Sequence, residues 1–215
     1  MTIKKNDFIE LEYTGKTKAE GAVFDTTDEN VAKDAGIHNT GTHYGPVVIC
    51  VGQHHILPGI DKHLEGKSLG KHTITLTPEE AFGKKNAKLI QLLPTSNFIK
   101  EKIMPQPGLQ VTVDGHLGTV KTVTGGRTLV DFNHPLSGKE IVYDIDLKNK
   151  VEDKKKQVEA ILEMRLHLHK VKVEVAENKA TIAWHEVLPK PIQEQIDKEI
   201  QEATGIKEIT WKKEG

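Results

Sequence analysis

Apolar and polar residues alternate along the first part of the chain. Between residues 3 and 13, Ile9, Leu11 and Tyr13 stand among Lys, Asp and Glu, which is the period of two that a half-buried strand requires. The segments "GAVFDTT", "VVICVG" and "HTITLTP" predict further short strands. Short helices are predicted after Asp28 in "DENVAKDAG" and from Pro58 in "LPGIDKHLEG". Residues 1–85 are therefore expected to form a β-rich unit.

The pattern changes between residues 86 and 131. An apolar run interrupted by Pro94, Pro105 and Pro107 is followed by short strands, which are separated by the hairpin-type dipeptides Asp114–Gly115 and Gly125–Gly126. These features predict a small β module. The next segment, "EIVYDIDL", alternates strongly and has no partner within that module's pattern, so we expect it to join the first unit.

The last part of the chain predicts the order α-β-β-α-β, after a charged link at "KNKVEDKKKQ". "RLHLHKVKVEV" and "KATIAWHEV" are interpreted as a hairpin. Ile192, Ile196 and Ile200 lie on one stripe, and Gly205 follows the last turn, which is typical of an amphipathic helix. The pattern leaves two interpretations open: a dimerisation element, or a monomeric appendage that buries the stripe internally.

Composition and charge narrow the functional classes. With 36% hydrophobic and 28% charged residues, the chain resembles ordinary folded globular proteins. A formal net charge of −1 provides no basic field that would gather nucleic acid. The single cysteine, Cys50, cannot form an internal disulfide, and no apolar run has the length of a signal peptide or a membrane span. We expect a cytoplasmic protein with neither nucleic acid nor membrane as a partner.

Histidines are the candidate metal ligands. His54 and His55 are adjacent, so on an extended segment their side chains point in opposite directions and make no preformed chelate. His167 and His169 alternate onto one strand face opposite His185, a spacing that allows a metal but also suits a solvated strand face. The pattern does not decide the role of these three histidines, and neither a metal nor a cofactor is expected.

Several motifs occur in a characteristic order: "EYTGK", "GAVFDTT", "VGQHHILPGID", "EGKSLG", "PEEAFG" and "HPLSGKEIVYDIDL". Together they resemble FKBP-type peptidyl-prolyl isomerases, above all the archaeal long form and its bacterial SlyD-like relatives, over most of residues 7–84 and 134–147. The resemblance implies an α+β fold with an FKBP-like antiparallel sheet wrapped on a short helix. It further implies an inserted, β-rich IF (insert-in-flap) domain and a C-terminal α/β domain. The implied domains are residues 1–85 plus 132–150, residues 86–131 and residues 151–215.

The resemblance also implies the residues of the site. The carboxylate of Asp25, the hydroxyl of Tyr13, the main-chain N–H of Leu57 and the ring of Phe82 match catalytic positions. The substrate-binding walls and floor around the prolyl ring match Phe24, Val47, Ile56, Ile60 and Tyr143. The activity implied is acceleration of X–Pro isomerisation in unfolded or partly folded polypeptides, with macrolide binding and homodimerisation as further family properties.

Three positions depart from the family pattern. Ile60 stands where Trp is frequent, Val47 stands where Phe is common, and Phe82 lacks the hydroxyl of the usual Tyr. A lost hydrogen bond is worth about 0.5–1.5 kcal/mol, so we expect a modest catalysed rate.

The insert suggests a second activity, because its apolar residues exceed what a module of its size readily buries. We expect a chaperone surface for unfolded chains among Leu92, Leu93, Phe98, Ile99, Ile103 and Met104. The alternative function is a polypeptide-binding chaperone whose isomerase pocket is vestigial. A metal chaperone is less favoured, because the chain lacks a His- and Cys-rich tail.

Overall fold

The computed structural model describes residues 2–168, 171–186 and 188–213, and the chain divides into two compact units. The first unit combines Met1–Leu76 with Glu140–Gly215, and the second is Thr77–Lys139. The described helices are α1 (Glu29–Asp34), α2 (Pro58–Leu64), α3 (Thr95–Lys100), α4 (Lys154–Leu166) and α5 (Lys190–Thr204). The described strands are β1 (Phe8–Thr17), β2 (Val23–Thr26), β3 (Val47–Cys50), β4 (Gly70–Leu76), β5 (Ile90–Pro94), β6 (Gln110–Val113), β7 (His116–Thr124), β8 (Arg127–Asp131), β9 (Ile141–Lys150), β10 (Lys172–Ala176), β11 (Lys179–Trp184) and β12 (Glu208–Lys213). The chain is thus a mixed α/β protein with few helices and mostly antiparallel sheets, in which β11 and β12 pair in parallel.

The larger sheet of the first unit has the strand order β2-β1-β9-β4, and β3 also pairs with β1. Alternate residues of β9 are buried, namely Ile141, Tyr143, Ile145 and Leu147. This alternation gives the sheet one apolar face, against which α2 packs at β4. The prediction that "EIVYDIDL" joins the first unit is confirmed, because β9 lies between β1 and β4.

The short helices begin where the sequence predicts. Asp28 is the N-cap of α1, and its carboxylate accepts hydrogen bonds from the N–H groups of Asn30 and Val31. Helix α2 begins at Pro58. Proline suits the first turn of a helix because an N–H group at that position has no acceptor within the helix, so its absence costs no hydrogen bond.

The C-terminal part of the first unit has the predicted α-β-β-α-β order, with a sheet β10-β11-β12. Its core is shared with the larger sheet: Phe8 and Cys50 belong to the same buried cluster as Ile161, Ile196 and Ile200. The stripe on α5 therefore faces inward at two of its three isoleucines. The remaining one, Ile192, is partly exposed.

The charged segment before α4 differs from the predicted link. Strand β9 extends to Lys150, and α4 already begins at Lys154 because Asp153 caps it by accepting from the Lys155 N–H. The hairpin is also shorter than predicted. Helix α4 ends in a left-handed residue, His167, and β10 begins at Lys172, so the segment "RLHLH" does not form the start of a strand within the described residues.

The second unit is a sheet with the order β5-β8-β7-β6 and one helix, α3. Its buried cluster consists of Phe98, Val111, Val120 and Val130. The predicted hairpins are confirmed: Asp114–Gly115 and Gly125–Gly126 have positive φ at both positions, as a two-residue turn of this kind requires. The apolar run before them contains β5 and α3, which were not predicted from the sequence because prolines interrupt the run.

Candidate active site

Four residues form a row across the larger sheet on its buried face. In the strand pairing Gly15 lies opposite Asp25 on one side and opposite Tyr143 on the other, and Tyr143 lies opposite Ile74. Directly paired residues project from the same face of a sheet. The pairing therefore brings together Asp25 and Tyr143, which are far apart in sequence.

A β-bulge adds Phe24 to this row. Asp25 pairs with Gly15 and Val23 pairs with Lys16, so Phe24 is an extra residue between two consecutive positions of β1. A bulge re-aims side chains that regular alternation would send to opposite faces. Here Phe24 reaches the ring of Tyr143, although its neighbour Asp25 lies in the same row.

Aromatic rings surround the row. The ring centroids of Phe24 and Tyr143 lie 5.7 Å apart in an edge-to-face arrangement, and those of Tyr13 and Tyr143 lie 5.6 Å apart at 59°. Such geometries are favourable for aromatic pairs. They require Gly15, because a Cβ atom there would lie 2.8 Å from Tyr143 and 3.0 Å from Phe24.

The carboxylate of Asp25 is the polar centre of this aromatic cluster. The hydroxyls of Tyr13 and Tyr143 favour its ionised form by hydrogen bonding. Burial raises the pKa of Asp25 above its ordinary value, although both hydroxyls and the Thr26 N–H lower it. Burial and the nearby Asp25 charge also raise the pKa values of both tyrosines, so both hydroxyls remain donors at neutral pH.

The loop before α2 is a turn and not the extended segment that the sequence suggested. His54 has a positive φ of 57°, and Asp61 of α2 accepts hydrogen bonds from the N–H groups of Gly52 (2.7 Å) and His54 (3.0 Å). The two histidines nevertheless diverge, since the His54 side chain is 71% exposed and the His55 side chain 0%. Leu57, at the end of this loop, is the N-cap residue of α2.

The other predicted binding residues lie on neighbouring elements. Ile60 is buried on α2, Ile56 and Leu57 are half-buried in the loop, and Val47 begins β3, where it pairs with Leu11. The described contacts unite Tyr13, Phe24, Asp25 and Tyr143, whereas a shared pocket with Val47, Ile56, Leu57 and Ile60 stays a prediction.

Phe82 belongs to the second unit, where its ring stacks on that of His134 with the centroids 4.6 Å apart. Its main-chain carbonyl accepts a hydrogen bond from the Ser137 hydroxyl. Its place at the substrate stays a prediction.

The predicted chaperone surface is only partly exposed. Leu92 and Ile99 are at least half exposed and Met104 is 77% exposed, whereas Phe98 is 4% exposed and forms the core of the second unit. Leu93 and Ile103 pack against the same core. Other exposed apolar positions were missed: Leu89 and Leu117 line a groove of about 390 Å³ together with Gln91, Val113, Asp114, His116 and Phe132.

No group of three or more potential metal ligands occurs among the residues that the structure describes. His167 ends α4 and is not on a strand, and His185 is exposed beside Trp184. His169 lies outside the described residues. No described helix has the length and apolar character needed to cross a bilayer.

Two residues that matter for the site escaped the sequence analysis. Gly15 stands inside the "EYTGK" motif, yet only the packing of Tyr143 against it reveals its role. Asp61 gives a weak signal as a carboxylate in the first turn of a predicted helix, where acidic residues are common anyway. Its burial and its bonds to the preceding loop appear only in the fold.

Comparison with known proteins identifies relatives of this chain. Residues 91–136 match the family described as "FKBP26, IF domain". The chain is 31% identical over 148 residues to the short-type peptidyl-prolyl cis-trans isomerase of Methanocaldococcus jannaschii, covering 68% of this chain and 93% of that protein. It is 33% identical over 108 residues to a probable FKBP-type 16 kDa peptidyl-prolyl cis-trans isomerase of Pseudomonas fluorescens (47% of this chain, 71% of that protein). It is also 32% identical over 152 residues to the FKBP-type isomerase SlyD of Aeromonas hydrophila (69% and 65%).

Proposed function

This chain belongs to the FKBP-type peptidyl-prolyl cis-trans isomerase family, and from that premise we propose that it accelerates X–Pro isomerisation during protein folding at the Tyr13–Phe24–Asp25–Tyr143 cluster. The single observation that carries the assignment of the site is the sheet row in which Asp25, Gly15 and Tyr143 are paired. The row places one desolvated carboxylate among three aromatic rings.

The reaction suits such a site. Rotation about a peptide bond costs about 18–20 kcal/mol because amide resonance is lost. X–Pro bonds have nearly balanced cis and trans forms but interconvert over roughly tens of seconds. A twisted amide is less dipolar than a planar one, so an apolar, water-poor surface favours it relative to water. The chemistry requires no nucleophile and no cofactor.

Each residue of the cluster has a distinct role in this proposal. Phe24 and Tyr143 provide apolar surface for the prolyl ring, and Val47, Ile56 and Ile60 complete the walls and floor. Asp25 orients the twisting amide, held by the hydroxyls of Tyr13 and Tyr143. The Leu57 N–H binds the substrate carbonyl, and the ring of Phe82 is proposed to contact the substrate.

The test is the cis-to-trans relaxation of a short prolyl peptide. We expect Asp25→Ala to lower kcat/KM about 10- to 100-fold, the loss of a hydrogen bond to a charged group. The control is Asp146→Ala, a carboxylate on the opposite face of β9 that pairs with Lys148, and it should retain wild-type activity. Equal activity of wild type and Asp25→Ala would remove Asp25 from the mechanism. No activity in wild type would leave polypeptide holding as the function.

We further propose that the second unit binds unfolded polypeptides. The exposed Leu92, Ile99 and Met104, and the groove lined by Leu89 and Leu117, supply apolar surface for them. Transient capture there raises the local substrate concentration for the isomerase site.

The finer organisation follows from the same premise. We infer an FKBP-like domain from residues 1–85 and 132–150, an IF domain from residues 86–131, and a C-terminal domain from residues 151–215. Because Ile196 and Ile200 are buried internally, a homodimer formed through this domain would use its sheet edge. Macrolide inhibitors should compete for the prolyl-ring pocket. A reducing compartment such as the cytoplasm suits the buried, single Cys50.

A further inference from the structure

Two elements of the C-terminal part reach the loop that leads to Leu57. Glu199 of α5 accepts a hydrogen bond from His55 (2.9 Å) and two from the Arg165 Nε–H (2.9 Å to each oxygen). Arg165, on α4, also donates from Nη2 to the main-chain carbonyl of Gln53 (2.7 Å). Glu199 and Arg165 thus contact the loop at two residues, one through a side chain and one through the backbone.

The geometry defines the tautomer of His55. Its Nδ1 accepts the Cys50 N–H at 3.1 Å, so the ring proton is on Nε2, which donates to Glu199. The ring therefore connects the end of β3 with α5, inside a fully buried environment. Although burial alone raises the pKa of Glu199, the bonds from His55 and Arg165 lower it, so Glu199 is an anion that accepts all three bonds.

The opposite side of the loop is held by its own helix. Asp61 accepts from the N–H groups of Gly52 and His54, which keeps the chain in its left-handed turn at His54. Asp61 bonds to neither the Gln53 carbonyl nor the His55 ring, and the Cys50 N–H holds the ring only at Nδ1. Arg165 restrains the Gln53 carbonyl and Glu199 restrains Nε2 of His55, four and two residues before Leu57.

We propose that Glu199, supported by Arg165, is a positioning residue of the isomerase site, which sets the loop Gly52–Leu57 and thereby the direction of the Leu57 N–H. The C-terminal part is then a component of the site and not only an appendage. This inference rests on the proposed function, in which the Leu57 N–H binds the substrate carbonyl. Misplacing a group that touches the substrate by a fraction of an ångström is enough to lower a rate severalfold.

The experiment uses the full chain with Glu199→Ala, Glu199→Gln and Glu194→Ala. Glu194 is an exposed carboxylate on the same helix and serves as the matched control. We expect Glu199→Ala to lower kcat/KM on a short prolyl peptide about tenfold. Glu199→Gln should recover most of the loss, because its amide oxygen still accepts from His55, and Glu194→Ala should equal wild type. Wild-type kcat/KM in folded Glu199→Ala, or an equal loss in Glu194→Ala, overturns the proposal.

Amide hydrogen exchange of residues 53–57 supplies a readout that does not depend on catalysis. It should accelerate in Glu199→Ala while the exchange of Leu11 and Ile145 in the sheet is unchanged; unaltered exchange in the loop overturns the proposal. If Glu199→Ala does not fold, Arg165→Met replaces it, because Arg165 lies at the solvent-exposed rim. Faster loop exchange with a several-fold lower kcat/KM in Arg165→Met supports the proposal, and wild-type values overturn it. If the wild type is inactive although the amides of residues 53–57 exchange more slowly in it than in Glu199→Ala, the result contradicts the proposed isomerase function and not the restraint of the loop by Glu199.

Discussion

Gly15 connects the aromatic and the acidic sides of the candidate site. It lies between Asp25 and Tyr143 in the sheet, and the ring of Tyr143 occupies the space in which any other residue would carry its Cβ. Phe24 uses the same space from the other side. The absence of a side chain at this position is therefore what allows the two rings to approach the carboxylate.

Gly15→Ala should displace the ring of Tyr143 from Asp25. Overpacking of this kind typically costs about 1–3 kcal/mol, and we expect a Tm lower by several degrees together with about tenfold lower kcat/KM on a prolyl peptide. Calorimetry and peptide relaxation measure the two effects. The control is Gly41→Ala, where the added atom approaches only the Asn39 side chain at 3.4 Å. Unchanged activity in Gly15→Ala would contradict the importance of this close packing.

Asp25→Asn should raise the stability of the protein at pH 7 and lower its activity. Because burial raises the pKa of Asp25 above 3.8, the folded state binds the proton more tightly than the unfolded state does. Stability is then lost as pH rises through the interval between the two pKa values, and the full penalty applies above it. The neutral amide avoids this penalty, so Asp25→Asn should unfold at a higher temperature than wild type at pH 7. The difference should shrink below pH 3.8, and kcat/KM should fall at every pH. A Tm at pH 7 below that of wild type would contradict a desolvated carboxylate.

Phe82→Tyr should increase the rate. The added hydroxyl supplies a donor for a substrate carbonyl, and a hydrogen bond of about 0.5–1.5 kcal/mol corresponds to at most roughly a tenfold gain in kcat/KM. Peptide relaxation measures it, with Phe132→Tyr, another aromatic of the second unit, as the control. No gain in Phe82→Tyr would count against a role of this ring at the substrate carbonyl.

At the scale of elements, the site depends on irregularities in regular structure. The bulge in β2 turns Phe24 and Asp25 toward one face, and the turn before α2 is stabilised by Asp61. In the second unit Leu92 lies on β5, Ile99 on α3 and Met104 in the segment that follows α3. Their exposed apolar side chains are available for contact with an unfolded chain.

Replacing Leu92, Ile99 and Met104 together by Ser should weaken the holding of unfolded chains. The three side chains are half or more exposed, so the substitution removes apolar contact surface at little cost in stability. We expect suppression of the aggregation of an unfolding client to fall several-fold, while turnover of a short prolyl peptide is unchanged. The control replaces the exposed Thr112, Thr122 and Thr124 by Ser. Undiminished suppression of aggregation would exclude these three residues from the binding surface.

At the scale of the whole molecule, the two units are expected to divide binding and catalysis between them. Most of the second unit can be removed at a defined place, because Asn86 and Asn133 are hydrogen-bonded to each other through two bonds, of 2.8 and 3.1 Å. A short Gly–Gly link between them closes the gap that the deletion of residues 87–132 leaves.

After the deletion, turnover of a short peptide should stay within a few-fold of the wild-type value. Catalysis of a proline-limited refolding reaction should fall by an order of magnitude or more. The physical reason is that peptide turnover needs only the pocket, whereas a folding chain benefits from its high local concentration. Both rates are measured on the same preparation. Equal losses in the two assays would show that the second unit serves the pocket itself and not capture.

Local sequence patterns predict many of the strands and helices of this chain. Alternation predicted β1 and β9, the caps Asp28 and Gly205 bounded α1 and α5, and Pro58 began α2, because such signals depend on a few neighbouring residues. The order of motifs was enough to identify the family and to predict Tyr13, Phe24, Asp25 and Tyr143 as site residues. β5 and α3 were not predicted because the prolines around them are a local signal against strands and helices. Such a signal carries no information about the neighbouring strand that pairs with β5 in the folded chain.

The tertiary structure alone decided which distant residues meet. The register of β1 with β2 and β9 places Gly15 between Asp25 and Tyr143, and the fold of α4 and α5 onto β3 brings Glu199 to His55. A pairing register and a helix packing angle arise from the burial of the whole core, so no window of sequence contains them. Residue types and their order thus followed from the sequence, whereas the close packing over Gly15 and the hold on the loop before Leu57 followed only from the folded chain.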